Sequence, residues 1–269
     1  MSFSISGKTA IVTGAAQGLG LAIARHFVDK GANVMFADID EARLEDEVGQ
    51  ESRGDGAVRM FAGDLCQKLT TANLLSATMD AFDRVDILIN ASRVIRPSEP
   101  LSAEEDAVDA MLKQNLMTSL RLSQMAAKRM IQQAEKSEDR NAPAGSIVNL
   151  SALAARRLQK GLLGYAISTA AVEQMTRAMA VELAPRNIRV NAVAFGSLMS
   201  ASLQQALKDT PDYRDQILHG TPMARIAPAH EIAETVQYLA SDASAFMTGQ
   251  VLVLDGGRSL LDCVPAPVH

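Results

Sequence analysis

The 269 residues are 48% hydrophobic and only 4% aromatic, and they carry a formal net charge of −5. With no Lys/Arg-rich block and no apolar run approaching about 18 residues, the sequence offers no footprint for nucleic acid and no bilayer span, so small molecules and other protein chains are the expected partners. Two cysteines, Cys66 and Cys263, suit neither a disulfide framework nor a zinc site, and no basic stretch leads into an apolar one near Met1, which together point to the cytoplasm.

In chain order, short apolar runs alternate with longer helical patterns. Strands are expected at 8–13, 33–37, 57–62, 86–90, 145–150, 188–194 and 250–254, each apolar enough to be buried on both faces as parallel strands are. Helices are expected near 18–30, 41–50, 67–82, 104–135, 161–184 and 229–240. A β-α-β-α order of this kind predicts an α/β fold, a Rossmann-type doubly wound sheet of seven parallel strands in a three-layer αβα arrangement, with residues 1–269 as one domain. The polar segment 135–143 reads as a solvated loop. Residues 196–228, punctuated by Gly and Pro around a short helical pattern, read as an excursion over the sheet edge: a place for a lid, or an ordinary crossover connection.

Strand one ends at Thr13 and runs into Gly14-Ala15-Ala16-Gln17-Gly18-Leu19-Gly20, after which a helix opens. Glycines let a backbone approach a pyrophosphate, and a helix start offers free N–H donors with partial positive charge. Strand two ends in Asp38, 18 residues beyond Gly20, where a carboxylate accepts from ribose hydroxyls and repels a 2′-phosphate, so the cofactor expected is NAD(H) rather than NADP(H). The structural alternative for Asp38 is a cap on the helix opening near Asp40-Glu41.

The spacing Thr13-Gly14-x-x-x-Gly18-x-Gly20 resembles the glycine motif of the short-chain dehydrogenase/reductase family, and the likeness runs along nearly the whole chain. Asp64-Leu65 is similar to the family's adenine-contacting position, the run ending at Asn90 to its fourth strand, and Asn115 to its helix Asn. Ile188-Arg189-Val190-Asn191 and Asp255-Gly256-Gly257 match its sixth strand and terminal motif. The resemblance implies cofactor contacts at Gly14, Gln17, Gly18, Leu19, Gly20, Asp38, Asp64, Leu65, Asn90 and Ser200. It implies an alcohol or ketone as substrate and a tetramer, formed with copies of this chain or with intact relatives.

The catalytic pattern that the resemblance brings is incomplete. Family chemistry uses an Asn, a Ser that hydrogen-bonds the substrate oxygen, a Tyr that exchanges the proton, and a Lys one helical turn after the Tyr. Asn115 and Tyr165 are present, but the Ser position is Ala152 and the Lys position is Thr169. Ser151, first of the expected pair, should point to the other side of its strand. A phenol with pKa near 10 acting at pH 7 wants roughly 4 kcal/mol of help from nearby positive charge, and loss of a donor such as the Ser costs about 3 kcal/mol more. Weak or absent activity follows, as in the non-catalytic subunit of a dehydrogenase complex.

Further departures surround this corner. After strand four stands Asn90-Ala91-Ser92-Arg93, with Arg where the family has a glycine beside the nicotinamide ribose; after strand six stands Phe195-Gly196 in place of Pro-Gly. Arg93 could crowd the cofactor, point to solvent, or supply the missing charge to Tyr165, which would leave an active NAD-dependent enzyme. Arg156, Arg157 and Lys160, in the loop before Tyr165, could hold an anionic or CoA-linked substrate tail, or form a solvated basic loop. His26, His219, His230 and His269 show no metal-ligand spacing. Met111, Met117, Met125 and Met130 recur on one long helix as core filling or, by the resemblance, as an interface.

Overall fold

Seven parallel strands form one sheet in the order β3-β2-β1-β4-β5-β6-β7. The computed structural model describes residues 3–98, 100–101, 107–137, 142–199, 203, 207–210 and 212–262. Ser200, Cys263 and His269, the middle of the 135–143 loop and parts of the 196–228 excursion therefore lie outside the described residues. The strands are β1 (Thr9–Thr13), β2 (Asn33–Asp38), β3 (Val58–Ala62), β4 (Ile87–Asn90), β5 (Gly145–Ala152), β6 (Ile188–Phe195) and β7 (Val251–Leu254). Their apolar residues alternate between two cores, as the two-residue period of a strand requires. Ala10, Val12, Val34 and Phe36 face α1 (Gly18–Asp29), α2 (Glu41–Ser52) and the helix Ala229–Ala240 on one side. Ile11, Met35, Leu88 and Ile147 face α3 (Lys68–Phe82) and the long helices of the centre on the other.

The chain builds β1, β2 and β3 outward, then returns to place β4 on the other side of β1. At this reversal the connections after β1 and β4 diverge and leave a crevice at the carboxyl ends of the strands. The strand expected at 145–150 continues through Ser151 and Ala152, paired with Ala194 and Phe195 of β6. That extension delivers Ala152 to the crevice.

The helical stretch expected at 104–135 is interrupted. Its described part comprises α4 (Ala107–Met111), a π-helical turn Leu112–Met117 and α5 (Thr118–Ala134), and Asn115 sits inside the wide turn. Such turns add a residue to the helix without a composition signature and are frequent at functional sites. Then come α6 (Leu163–Leu183), α7 (Asp212–His219) and α8 (Ala229–Ala240). α7 is the short helical pattern of the excursion. Met111 and Met130 are fully buried and serve as core filling. No helix among the described residues is long and apolar enough to cross a membrane.

Candidate active site

The glycine turn is built by close approach rather than by flexibility. A Cβ on Gly20 would stand 2.1 Å from the Gly14 carbonyl oxygen, and one on Gly14, whose φ is +68°, would meet the Ser92 backbone at 3.0 Å. Thr13 locks the same corner: its Oγ1 accepts from Ala91 N and Ser92 N, both at 3.0 Å, tying the end of β1 to the loop after β4. The opening of α1 has no side-chain cap at Gln17, so its first N–H groups are left to a ligand. The backbone cradle and the free donors fit a pyrophosphate.

Asp38 turns toward this cradle. Its Oδ2 accepts from Ala16 N at 3.0 Å and its Oδ1 from Asp40 N at 3.1 Å. The cap of α2 is Asp40, which accepts from Arg43 N at 3.1 Å, so Asp38 is not needed for that task. Arg43, unremarked in the sequence, donates to Gln17 Oε1 and lies 3.2 Å from Asp40, closing the outer edge of the turn. Across the crevice the Cys66 backbone N–H donates to Asp64 Oδ1 at 2.9 Å and holds the Asp64 carboxyl below its ordinary range. Gly14, Gln17, Gly18, Leu19, Gly20, Asp38, Asp64, Leu65 and Arg93 all line one cleft of about 910 Å³. Asn90 does not: its Nδ2 donates to Ser123 Oγ at 2.9 Å and Asn149 Oδ1 at 2.8 Å in a buried network behind the cleft.

The catalytic corner shows where each departure leaves its neighbours. Tyr165 is 5% exposed and packs with Ala152 and Met111 in a small apolar cluster, so a methyl group stands where the family hydroxyl would reach the substrate. Thr169 gives its hydroxyl back to its own helix, donating to Tyr165 O at 2.8 Å, and contributes nothing to the crevice. Ser151 points away as its alternation requires, toward Thr169 O and Glu173, each at 3.4 Å. Asn115 works as a brace: its side chain accepts from Val94 N at 2.8 Å and donates to Val94 O and Ser168 Oγ, while its carbonyl accepts from Ser119 at 2.9 Å. The residue braced is the one after Arg93.

Arg93 reaches Tyr165. Its Nη1 donates to Tyr165 Oη at 3.0 Å, and its guanidinium lies 4.5 Å over the Phe195 ring. The two substitutions beside the family positions, Arg for Gly and Phe for Pro, thus meet in one cation–π stack that orients the charge. Arg93 and Phe195 line both the cleft and an adjoining pocket of about 300 Å³ that contains Ala152 and Tyr165. The basic loop does not act together. Arg156 is bound to the buried Glu173 at 3.1 Å, Arg157 lines the smaller pocket, and Lys160 is exposed and lines neither space. Arg258, which no motif marks in the sequence, lines that pocket as well.

Comparison with known proteins finds similarity along almost all of the chain. The family described as enoyl-(acyl carrier protein) reductase matches residues 14–259. A 3-oxoacyl-[acyl-carrier-protein] reductase of Thermotoga maritima is 32% identical over 94% of this chain and 98% of its own length. A D-threitol dehydrogenase of Mycolicibacterium smegmatis is 33% identical over 96% and 95% of the two chains. The solved structure of a short-chain type dehydrogenase/reductase from Mycobacterium marinum superposes with a TM-score of 0.83 at 27% identity, covering 95% of this chain and 97% of that one.

Proposed function

The chain belongs to the short-chain dehydrogenase/reductase family, and from that premise we propose that it is a slow NAD(H)-dependent oxidoreductase of CH–OH and C=O groups that exchanges the proton through a Tyr165–Arg93 pair. The observation that carries this reading is the 3.0 Å hydrogen bond from Arg93 Nη1 to Tyr165 Oη. A guanidinium only donates, so Tyr165 Oη accepts from it and keeps its own proton free for a substrate oxygen. When that proton leaves, the phenolate oxygen is held by a charge-assisted bond, the service that an ammonium on α6 supplies in intact relatives.

The pyrophosphate belongs on the Gly14–Gly20 turn and the adenosine ribose at Asp38, with Asp64 and Leu65 toward the adenine. Bound there, NAD(H) supplies or takes up the hydride. Tyr165 gives its proton to the carbonyl oxygen in reduction; in oxidation it first loses that proton to water and, as the phenolate held by Arg93, takes one from the carbinol. Arg93 holds the charge but does not release a proton of its own, so Tyr165 recovers its proton from water. Without a hydroxyl at Ala152 the substrate oxygen loses one donor, a cost of about 3 kcal/mol or roughly 10²-fold in rate.

A second reading, a cofactor-bound partner subunit with no chemistry of its own, is favoured by the Ala152 methyl packed on Tyr165 and by the Thr169 hydroxyl turned into its helix. In either reading the assembly is a tetramer of this chain or of this chain with intact relatives, covering the groove between α5 and α6 that Ile131, Met179 and Leu183 line. Titration with NADH and NADPH, followed by turnover of wild type and Arg93→Met, separates the two. Tight NADH binding with slow turnover lost in Arg93→Met supports the enzyme; tight binding with no turnover supports the subunit.

A further inference from the structure

Among the described residues, the pocket beside Tyr165 carries an uncompensated charge. Arg93, Arg157 and Arg258 line it, and no Asp or Glu is among its described lining residues. None of the three takes part in an ion pair among the described residues. Each donates to a neutral oxygen instead: Arg93 to Tyr165 Oη, Arg258 to Ser197 Oγ at 2.9 Å, and Arg157 to the Ser259 carbonyl. Their neighbour Arg156 shows the contrast, since it forms an ion pair with Glu173, which also holds Arg177.

Guanidiniums pinned by neutral acceptors keep their full charge and their remaining N–H donors, and a concave pocket lined by one sign concentrates the opposite one. Arg258 is held there by the turn before it, where Gly256 and Gly257 take φ of +61° and +88° and Asp255 accepts from Gly257 N at 2.9 Å. The geometry points to a small carboxylate-bearing substrate, a hydroxy acid or its oxo counterpart, with the carboxylate on Arg157 and Arg258 and the reacting carbon at Tyr165. A space of about 300 Å³ takes such an acid whole. In oxidation the carbinol C–H hydride goes to NAD⁺ and the O–H proton to the Tyr165 phenolate; reduction reverses both. The assignment of the reacting end rests on the function proposed above.

The test is calorimetric titration with 3-hydroxybutanoate and its neutral relative butane-1,3-diol, with and without NADH, at about 0.15 M salt to screen surface attraction. The acid is expected to bind at least about tenfold tighter than the diol. Arg157→Met and Arg258→Met should each weaken the acid about tenfold while leaving the diol and NADH unchanged, and Arg258→Lys should recover part of the loss. Should Arg258→Met fail to fold, the exposed Arg157→Met decides alone. Acid binding no tighter than diol binding, or undetectable, overturns the inference while NADH binding stands. An acid preference that persists without NADH, in a protein that binds no NADH, keeps the anion site and removes the oxidoreductase reading instead.

Discussion

Arg93 and Tyr165, separated by 72 positions in the chain, are joined by a 3.0 Å hydrogen bond at the boundary between the larger cleft and the smaller pocket. Arg93 comes from the loop after β4 and Tyr165 from the first turn of α6, so the pair bridges two elements. Arg93→Met should lower kcat by about 10²-fold and leave NADH affinity undiminished, because the cradle at Gly14–Gly20 is untouched. Steady-state absorbance with matched calorimetry checks both halves.

Ala152 ends β5 against Tyr165 with 7% of its surface exposed. Ala152→Ser adds one hydroxyl at the mouth of the smaller pocket and should raise kcat by roughly 10- to 10²-fold, recovering most of the lost donor. A rate unchanged within a factor of two would show that another group already serves the substrate oxygen.

The fold was legible from period and punctuation: every strand fell within two residues of its expected bounds, because strands buried on both faces write themselves as unbroken apolar runs. The glycine turn was legible too, since its spacing states a backbone geometry, and Asp38 lies beside it in the same cleft. The Arg93–Tyr165 bond was one of three fates the sequence left open for Arg93, and the Phe195 ring beneath the guanidinium and the Asn115 brace on Val94 accompany it in the fold. Arg258 went unnoticed because nothing local marks it; it enters the pocket through the turn that Gly256 and Gly257 permit. The π-helical turn around Asn115 was hidden for the reason that an extra residue in a helix leaves the apolar pattern intact.

Gly20→Ala should be the most damaging single methyl in the chain. The new Cβ would stand 2.1 Å from Gly14 O, with backbone on both sides of the overlap. The turn must open, at a cost of about 3 kcal/mol, read as a fall of roughly 10 °C in Tm together with loss of NADH binding.

Asp38→Ser tests the choice of cofactor. Removing the carboxylate that accepts from Ala16 N should weaken NADH about tenfold and remove the discrimination against NADPH. Equal NADPH exclusion in the variant would move the source of selectivity to another residue.

Acid stability reports on two carboxyls. The Cys66 backbone N–H lowers Asp64 below its ordinary value of 3.8. For Asp255, burial pushes upward but the hydrogen bonds from Ser259 and Gly257 outweigh it, with a net lowering. Groups depressed in the folded state stabilise it fully above the ordinary carboxyl value and lose that contribution as pH falls through the folded value. Urea unfolding as a function of pH should show a shallower acid decline for Asp64→Asn and Asp255→Asn than for wild type.

The most direct measurement follows hydride transfer in wild type, Tyr165→Phe and the Ala152→Ser/Thr169→Lys double variant, using a substrate found with the double variant. The wild type should turn over the same substrate roughly 10²- to 10³-fold more slowly than the double variant, and Tyr165→Phe should abolish even that rate. A double variant that works beside a wild type with no turnover, or a Tyr165→Phe protein as fast as wild type, would contradict a Tyr165–Arg93 enzyme.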